Sequence, residues 1–274
     1  MPDLTWRTDV LEHDGERIYF EEVGDGPALV LCHGAGGNHA VWYQQVAHFA
    51  PRHRVITWDQ RGYGRSTRNG EIGPRPAVRD LTALLDHLGV GQAHVVGQSM
   101  GGWCALGFAI EHPARVRSLV LADTLGGIFT PEIIEILTSR VTPPPLGEPP
   151  VFGVHPAVDG LIDHDPAQAF LYQQLSTFTE EVPSLEAIAL LLQTQWDLDT
   201  LQTLGVPTLF LFGSDDNLFP ADALRLAAGL IPGAEVVEIP GATHSPYFAA
   251  PGAWNAAVED FLSRVVDPSG LHGP

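Results

Sequence analysis

Lysine is missing from this sequence, and all fourteen basic residues are arginine. Schiff-base chemistry, a pyridoxal-phosphate lysine and a Walker-A phosphate loop all need that amine and are excluded. Cysteine is scarce: Cys32 and Cys104 are too few for a disulfide framework. No apolar run approaches the ~20 residues that span a bilayer. The start, Met1-Pro2-Asp3-Leu4-Thr5-Trp6, has neither a basic n-region nor an apolar h-region. No signal peptide is visible there, and the expectation is a soluble, cytoplasmic protein. The twelve histidines fall in no HExxH or HxH spacing, and the two cysteines form no CxxC, so no metal site is expected.

Positive charge is thin as well. The net charge is −19, and its sources are uneven. Residues 1–117 hold eleven arginines against thirteen acids, whereas residues 118–274 hold three against twenty. Such a surface repels nucleic acid and anionic lipid, so neither is expected as a partner. What is present is apolar residues, 45% of 274, enough for a sizeable core.

Their order alternates strand and helix patterns up to about residue 122. Glu16–Val23 alternates polar and apolar, as a half-exposed strand does. Segment 28–32 is a continuous apolar run, as in a strand buried on both faces, and 54–59, 93–97 and 118–122 repeat that theme. Between them Val78, Leu81, Leu84, Leu85 and Leu88 share one helical face, and Gly101–Glu111 fits a second helix. This alternation predicts a mostly parallel sheet with helices on both faces. It stops near Asp123. Some 80 residues follow with helical stretches (131–140, 166–177 and 183–196) and a proline-rich span, Thr142–Pro150. They read as a helical insertion with an extended loop, a moving gate or a rigid connector. The sheet pattern resumes at Pro207–Gly213 and runs through helix 220–230, strand 235–239 and helix 254–265.

Gly97-Gln98-Ser99-Met100-Gly101 is a G-x-S-x-G pentapeptide between a buried-strand pattern and a helix pattern. That context makes it a nucleophile elbow, a strained turn that presents the serine hydroxyl at a helix N-terminus. A serine hydroxyl needs a general base, and the base needs an orienting acid. In this chain order acid and then histidine follow the serine. Ser214-Asp215-Asp216 follows one strand pattern, and Gly241-Ala242-Thr243-His244 follows the last. His244 is the candidate base. Asp215 and Asp216 compete as the acid, with Asp123 the fallback. Acyl transfer also needs donors for a developing oxyanion. The N–H of Met100 is one candidate. The second lies in His33-Gly34-Ala35-Gly36-Gly37, at Ala35 with Gly36 as its rival.

These segments, with Asp59-Gln60-Arg61-Gly62-Tyr63-Gly64-Arg65-Ser66, Gly213-x-x-Asp216-x-x-x-Pro220 and Gly241-x-x-His244, resemble the α/β-hydrolase superfamily in its cap-bearing branch. The match runs from about residue 16 to residue 265. The resemblance implies an α/β fold: a mostly parallel eight-stranded sheet flanked by helices, with a helical cap inserted after strand 6. The core would be 1–123 with 204–274, and the cap 124–203. It places the acid three residues after the glycine, at Asp216, and makes Asp59–Ser66 a structural loop. The branch works without a cofactor on small molecules, and a homo-oligomer is compatible with it.

Departures from the family pattern narrow the chemistry. Epoxide hydrolases and haloalkane dehalogenases of this fold carry aspartate where Ser99 stands. Carbon–carbon hydrolases of ring-cleavage products usually have asparagine before the serine, tryptophan after the histidine and a cap arginine for a carboxylate. Here Gln98 and Ser245 stand there, and the insertion contains Arg140 alone. A glutamate common five residues after the histidine is Ala249. The expectation is therefore a serine hydrolase of a neutral ester or lactone. A carbon–carbon hydrolase and a cofactor-free perhydrolase or haloperoxidase are the alternatives, and a hydrolase-like ligand receptor stands behind them. Candidate pocket residues are Phe129, Phe152 and Trp196 from the insertion and Trp42, Trp103, Phe219 and Tyr247 from the core.

Overall fold

A computed structural model describes residues 4–140, 161–178 and 185–265. Eight strands form one sheet: β1 (Trp6–His13), β2 (Glu16–Val23), β3 (Ala28–Cys32), β4 (Arg54–Trp58), β5 (Ala93–Gln98), β6 (Val116–Ala122), β7 (Thr208–Gly213) and β8 (Glu235–Ile239). Their order is β1-β2-β4-β3-β5-β6-β7-β8. β1 and β2 pair antiparallel, as do β2 and β4, and the other pairs are parallel. This is the α/β fold and the eight-stranded, mostly parallel sheet expected from the sequence.

The apolar runs are central strands because both faces of the sheet are covered. Along β3, Val30 packs on the side of α2 (Pro74–His87) and α3 (Met100–Glu111), while Leu29 and Leu31 face the other side. There α1 (Tyr43–Phe49) contributes Phe49, and the C-terminal helix Pro251–Arg264 contributes Trp254, Val258 and Phe261. The same period of two runs through β5 and β7. β1 has no counterpart in the sequence expectations. Trp6 to Asp9 are exposed, so the strand has no buried face and carries no hydrophobic alternation.

Between β6 and β7 the described residues contain helices and no strand: α4 (Pro131–Arg140), α5 (Leu161–His164), α6 (Pro166–Ser176), α7 (Leu185–Gln193) and α8 (Leu198–Gln202). Asp165 caps α6 by accepting from the Gln168 N–H at 3.0 Å. α7 stops at Gln193, short of the expected 196. There the chain leaves the helix so that the Trp196 N–H can donate to the Gly127 carbonyl. The proline-rich span and Phe152 lie outside the described residues. After β7 come α9 (Ala221–Gly229), then β8, α10 (Pro246–Ala249) and α11 (Pro251–Arg264). No helix among the described residues is long and apolar enough to cross a membrane.

Candidate active site

β5 ends and α3 begins with Ser99 between them at φ 49°, ψ −121°, a backbone state that non-glycine residues rarely hold. Three hydrogen bonds hold it there. The Ser99 N–H donates to the Ala122 carbonyl, and the Ser99 carbonyl accepts from the Gly102 N–H and from the Thr124 hydroxyl at 2.7 Å. The flanking glycines are steric requirements. A Cβ on Gly97 would lie 2.5 Å from the Gly101 carbonyl oxygen, and one on Gly101 would lie 2.2 Å from that of Cys32. The result is a half-buried serine at the carboxyl edge of the sheet.

His244, in the loop after β8, reaches that hydroxyl. Its Nε2 lies 2.9 Å from Ser99 Oγ, and its Nδ1 lies 3.1 and 3.0 Å from the two carboxylate oxygens of Asp216. A carboxylate only accepts, so Nδ1 carries the proton and Nε2 is free to accept from the serine. Asp216 is pinned in turn: its Oδ1 accepts from the N–H groups of Leu218 and Phe219 at 2.8 and 3.0 Å. Asp216 and His244 are buried, whereas Asp215 is exposed and accepts from the Ser214 hydroxyl. Of the three candidate acids, Asp216 alone faces His244.

Asp123, the fallback, does something else. It is buried at φ 47°, and its Oδ1 accepts from the Gly213 N–H at 2.9 Å. Its Oδ2 has no hydrogen-bond partner among the described residues. Burial, with the Asp216 charge beside it, pushes the carboxyl well above the usual carboxylate range. The shift favours the protonated form of Asp123, the form that adds no second negative charge beside Asp216.

The loop after β3 lies opposite. The His33 Nε2 accepts from the Gln60 N–H, so its Nδ1 donates to the Gly34 carbonyl at 2.8 Å. The Gln60 side chain donates to the His33 carbonyl, which fixes the loop from both sides. Burial pushes His33 down, consistent with a neutral ring. Ala35 is the least buried residue of His33–Asn38, and neither its N–H nor that of Met100 donates to an acceptor among the described residues. Two unspent donors at a loop and a helix N-terminus suit an oxyanion.

The pocket expectations fare unevenly. Trp42 and Tyr247 present no accessible surface: their rings pack 4.5 Å apart, and Trp254 meets the first tilted and the second edge-on. They are core, not lining. Trp196 wedges its ring against Gly107, and its Nε1 donates to the Gly126 carbonyl at 2.7 Å, which makes it an anchor of the insertion. Phe129 stands nearer the site, in a chain of rings running Phe129, Trp103, Phe219 and His244, with the last pair 5.7 Å apart. The sequence expectations did not include the links that tie this site to its surroundings. The Gln98 side chain donates to the His244 carbonyl at 3.1 Å, and that of Asn38 to the Leu175 carbonyl at 2.8 Å. Only the fold brings those pairs together. Among the described residues no three His, Cys, Asp or Glu side chains converge as a metal site requires.

A family model described as the alpha/beta hydrolase fold matches residues 27–144 and 144–251. The chain belongs to the α/β-hydrolase family. It is 30% identical over 260 residues to a Caulobacter sp. (strain K31) protein named "Putative carbamate hydrolase RutD", covering 89% of this chain and 95% of that one. It is 29% identical over 266 residues to a 2-hydroxy-6-oxo-6-phenylhexa-2,4-dienoate hydrolase of Burkholderia cepacia, covering 90% and 92%. A thermophilic esterase from Thermogutta terrifontis, solved with malate bound, superposes with a TM-score of 0.74 at 26% identity, over 94% of this chain and 99% of that one. The chain is thus an α/β-hydrolase whose relatives are named for different bonds.

Proposed function

We propose that this hydrolase cleaves a carboxylic ester or lactone of a small to medium, largely neutral substrate through an acyl-enzyme on Ser99. The Ser99 Oγ attacks the carbonyl carbon while His244 Nε2 takes its proton. Asp216 orients the imidazole and stabilises its cationic form, and the N–H groups of Ala35 and Met100 hold the oxyanion. His244 then gives the proton to the leaving alcohol, and water, deprotonated by His244, releases the acid. No cofactor takes part. Helices of residues 124–203 act as the cap, with Phe129, Trp103 and Phe219 as its apolar approach to His244.

The observation that carries this reading is the hydrogen-bonded chain Ser99–His244–Asp216, with distances of 2.9 and 3.0 Å, at a strained elbow. The preference for a neutral substrate rests on Arg140. It is the one arginine of residues 124–203, and it is exposed and already paired with Asp222 at 2.6 Å. That favours an ester over the charged ring-cleavage products that the Burkholderia relative is named for.

Hydrolysis of p-nitrophenyl esters from acetate to laurate, with Ser99→Ala as control, tests the proposal. The expected outcome is turnover in the wild type and a loss of ~10⁴-fold or more in the variant. Equal inertness of both proteins on every ester and lactone would defeat the ester reading.

A further inference from the structure

Gln98 is the last residue of β5, directly before the nucleophile position, and it is buried. Burying a carboxamide is costly unless its polar ends are engaged. The Nε2 end donates to the main-chain carbonyl of His244 at 3.1 Å. That contact fixes the flip of the amide, because a carbonyl accepts only from the NH₂ end. The Oε1 end therefore points the other way and lies against Gly34 by close packing rather than through a hydrogen bond. A Cβ at Gly34 would lie 2.2 Å from Oε1, 3.2 Å from Cδ and 3.1 Å from the Cβ of Ser99. Glycine at 34 is thus what lets the carboxamide reach under the His33–Gly37 loop. One planar group spans from the loop that carries the base to the loop that carries the second oxyanion donor, immediately behind the serine.

Nothing in the Ser99–His244–Asp216 chain itself calls for a glutamine at this place. An apolar side chain of the same length would fill the volume without an amide to satisfy. What the amide adds is a fixed spacing between two loops that come from opposite parts of the chain, 33–37 and 241–245. Those loops must act together, because charge builds on the imidazole and on the carbonyl oxygen in the same step.

We propose that Gln98 is a positioning residue that holds the His244 loop and the Gly34–Ala35 backbone in register on the two sides of the Ser99 hydroxyl. Its contribution is made in the transition state, where misplacement by a fraction of an ångström slows the chemistry, and hardly in substrate binding. This rests on the acyl-transfer reading above.

The test uses a fluorophosphonate, which phosphonylates an activated serine with loss of fluoride whatever carbonyl substrate the enzyme prefers. Full-length wild type, Ser99→Ala, Gln98→Met and Gln98→Glu are followed by intact mass, and kcat and KM are measured on whichever ester the wild type turns over. Gln98→Met keeps the length and removes both polar ends. Gln98→Glu keeps the shape and removes the donor once its carboxyl ionises, so it is read at rising pH, where the labelling rate should fall relative to wild type, and it serves if the methionine variant does not fold.

The expected result is labelling of the wild type, none of Ser99→Ala, and labelling of the Gln98 variants slowed by about 10- to 100-fold. In these variants kcat should fall with the labelling rate while KM stays within about threefold, and circular dichroism at the assay temperature should show them fully folded, because an unfolded fraction would also lower kcat at constant KM. Labelling of a folded Gln98 variant within about twofold of wild type, or a loss carried by KM, overturns the role of Gln98 alone. An unlabelled wild type would instead overturn the acyl-transfer reading.

Discussion

The β5–α3 elbow and the insertion between β6 and β7 are held by different means. At the elbow the Ser99 N–H and carbonyl are both hydrogen-bonded, to Ala122 and to Gly102 and Thr124, and Gly97 and Gly101 stand where a single Cβ would meet backbone oxygen at 2.2–2.5 Å. The insertion is pinned at separate points by side chains that donate to carbonyls. Trp103 donates to Thr194, Gln168 to Phe248 and Asn38 to Leu175, while inside the insertion Trp196 donates to Gly126 and packs its ring on Gly107 of α3. The buried residues on α6 are Ala169 and Tyr172. The elbow therefore has one solution, and its removal is an all-or-none event. The insertion loses about 1 kcal/mol for each pin broken. On the function proposed above, a rigid nucleophile beneath a roof fastened at separate points would let the pocket change while the chemistry stays fixed.

The elbow half of this comparison breaks first at Gly101. In Gly101→Ala the new methyl meets the Cys32 carbonyl, which cannot move without shifting β3. We expect a loss above ~3 kcal/mol in urea melts, or no folded protein. Gly229→Ala, at the end of α9 with nothing within 4 Å of the new atom, is the matched control. It should be neutral or stabilising by up to ~1 kcal/mol.

The insertion half is tested at Trp196. Trp196→Ala removes the ring from Gly107 and the bond to Gly126, and should cost ~2–3 kcal/mol for this half-buried side chain. Turnover at a temperature where the variant stays folded should remain within a few-fold of wild type. A collapse of kcat as deep as in Ser99→Ala would mean that the roof is part of the catalytic frame.

Asp123 sharpens the elbow side through pH. Its carboxyl is raised in the fold and ordinary in the unfolded chain, so the native state binds the extra proton. Native stability is then largest, as far as this group goes, below the unfolded value near ~3.9, and declines as pH rises toward the raised folded value. Asp123→Asn keeps the acceptor for the Gly213 N–H and tolerates the φ of 47°. The variant should melt above wild type at pH 7, and the gap should close as pH falls toward 4. A gap that is constant with pH would show that Asp123 is ionised throughout.

Much of this contrast was legible in the sequence. β3 to β7 announced themselves because a strand buried on both faces is apolar along most of its length. The elbow announced itself because two glycines around a serine have a steric cause. The choice among Asp215, Asp216 and Asp123 came from the family pattern, since one strand end offered two adjacent acids. β1 stayed hidden because its outward-facing residues carry no pattern. Trp42, Tyr247 and Trp196 were expected in the pocket because composition shows an aromatic's presence and not its neighbours. They became two core rings and an anchor. Gln98 and Asn38 could not be found from sequence, because each acts on a carbonyl 146 or 137 residues away.

Asn38 gives the smallest expected effect and the finest division between the two regions. Its Oδ1 accepts from the Ala40 N–H at 3.0 Å and so caps the short turn His39–Trp42, while its Nδ2 reaches Leu175 on α6. Asn38→Ser keeps an acceptor for the cap and gives up the reach to α6. It should cost ~0.5–1.5 kcal/mol. If the insertion only roofs the site, the loosened α6 should raise KM for long acyl chains and leave kcat on acetate within about twofold. That is the opposite split from the one expected at Gln98. Should Asn38→Ser lower kcat on the shortest ester, then α6 steadies the oxyanion loop itself, and the boundary between frame and roof lies inside the insertion rather than at its edge.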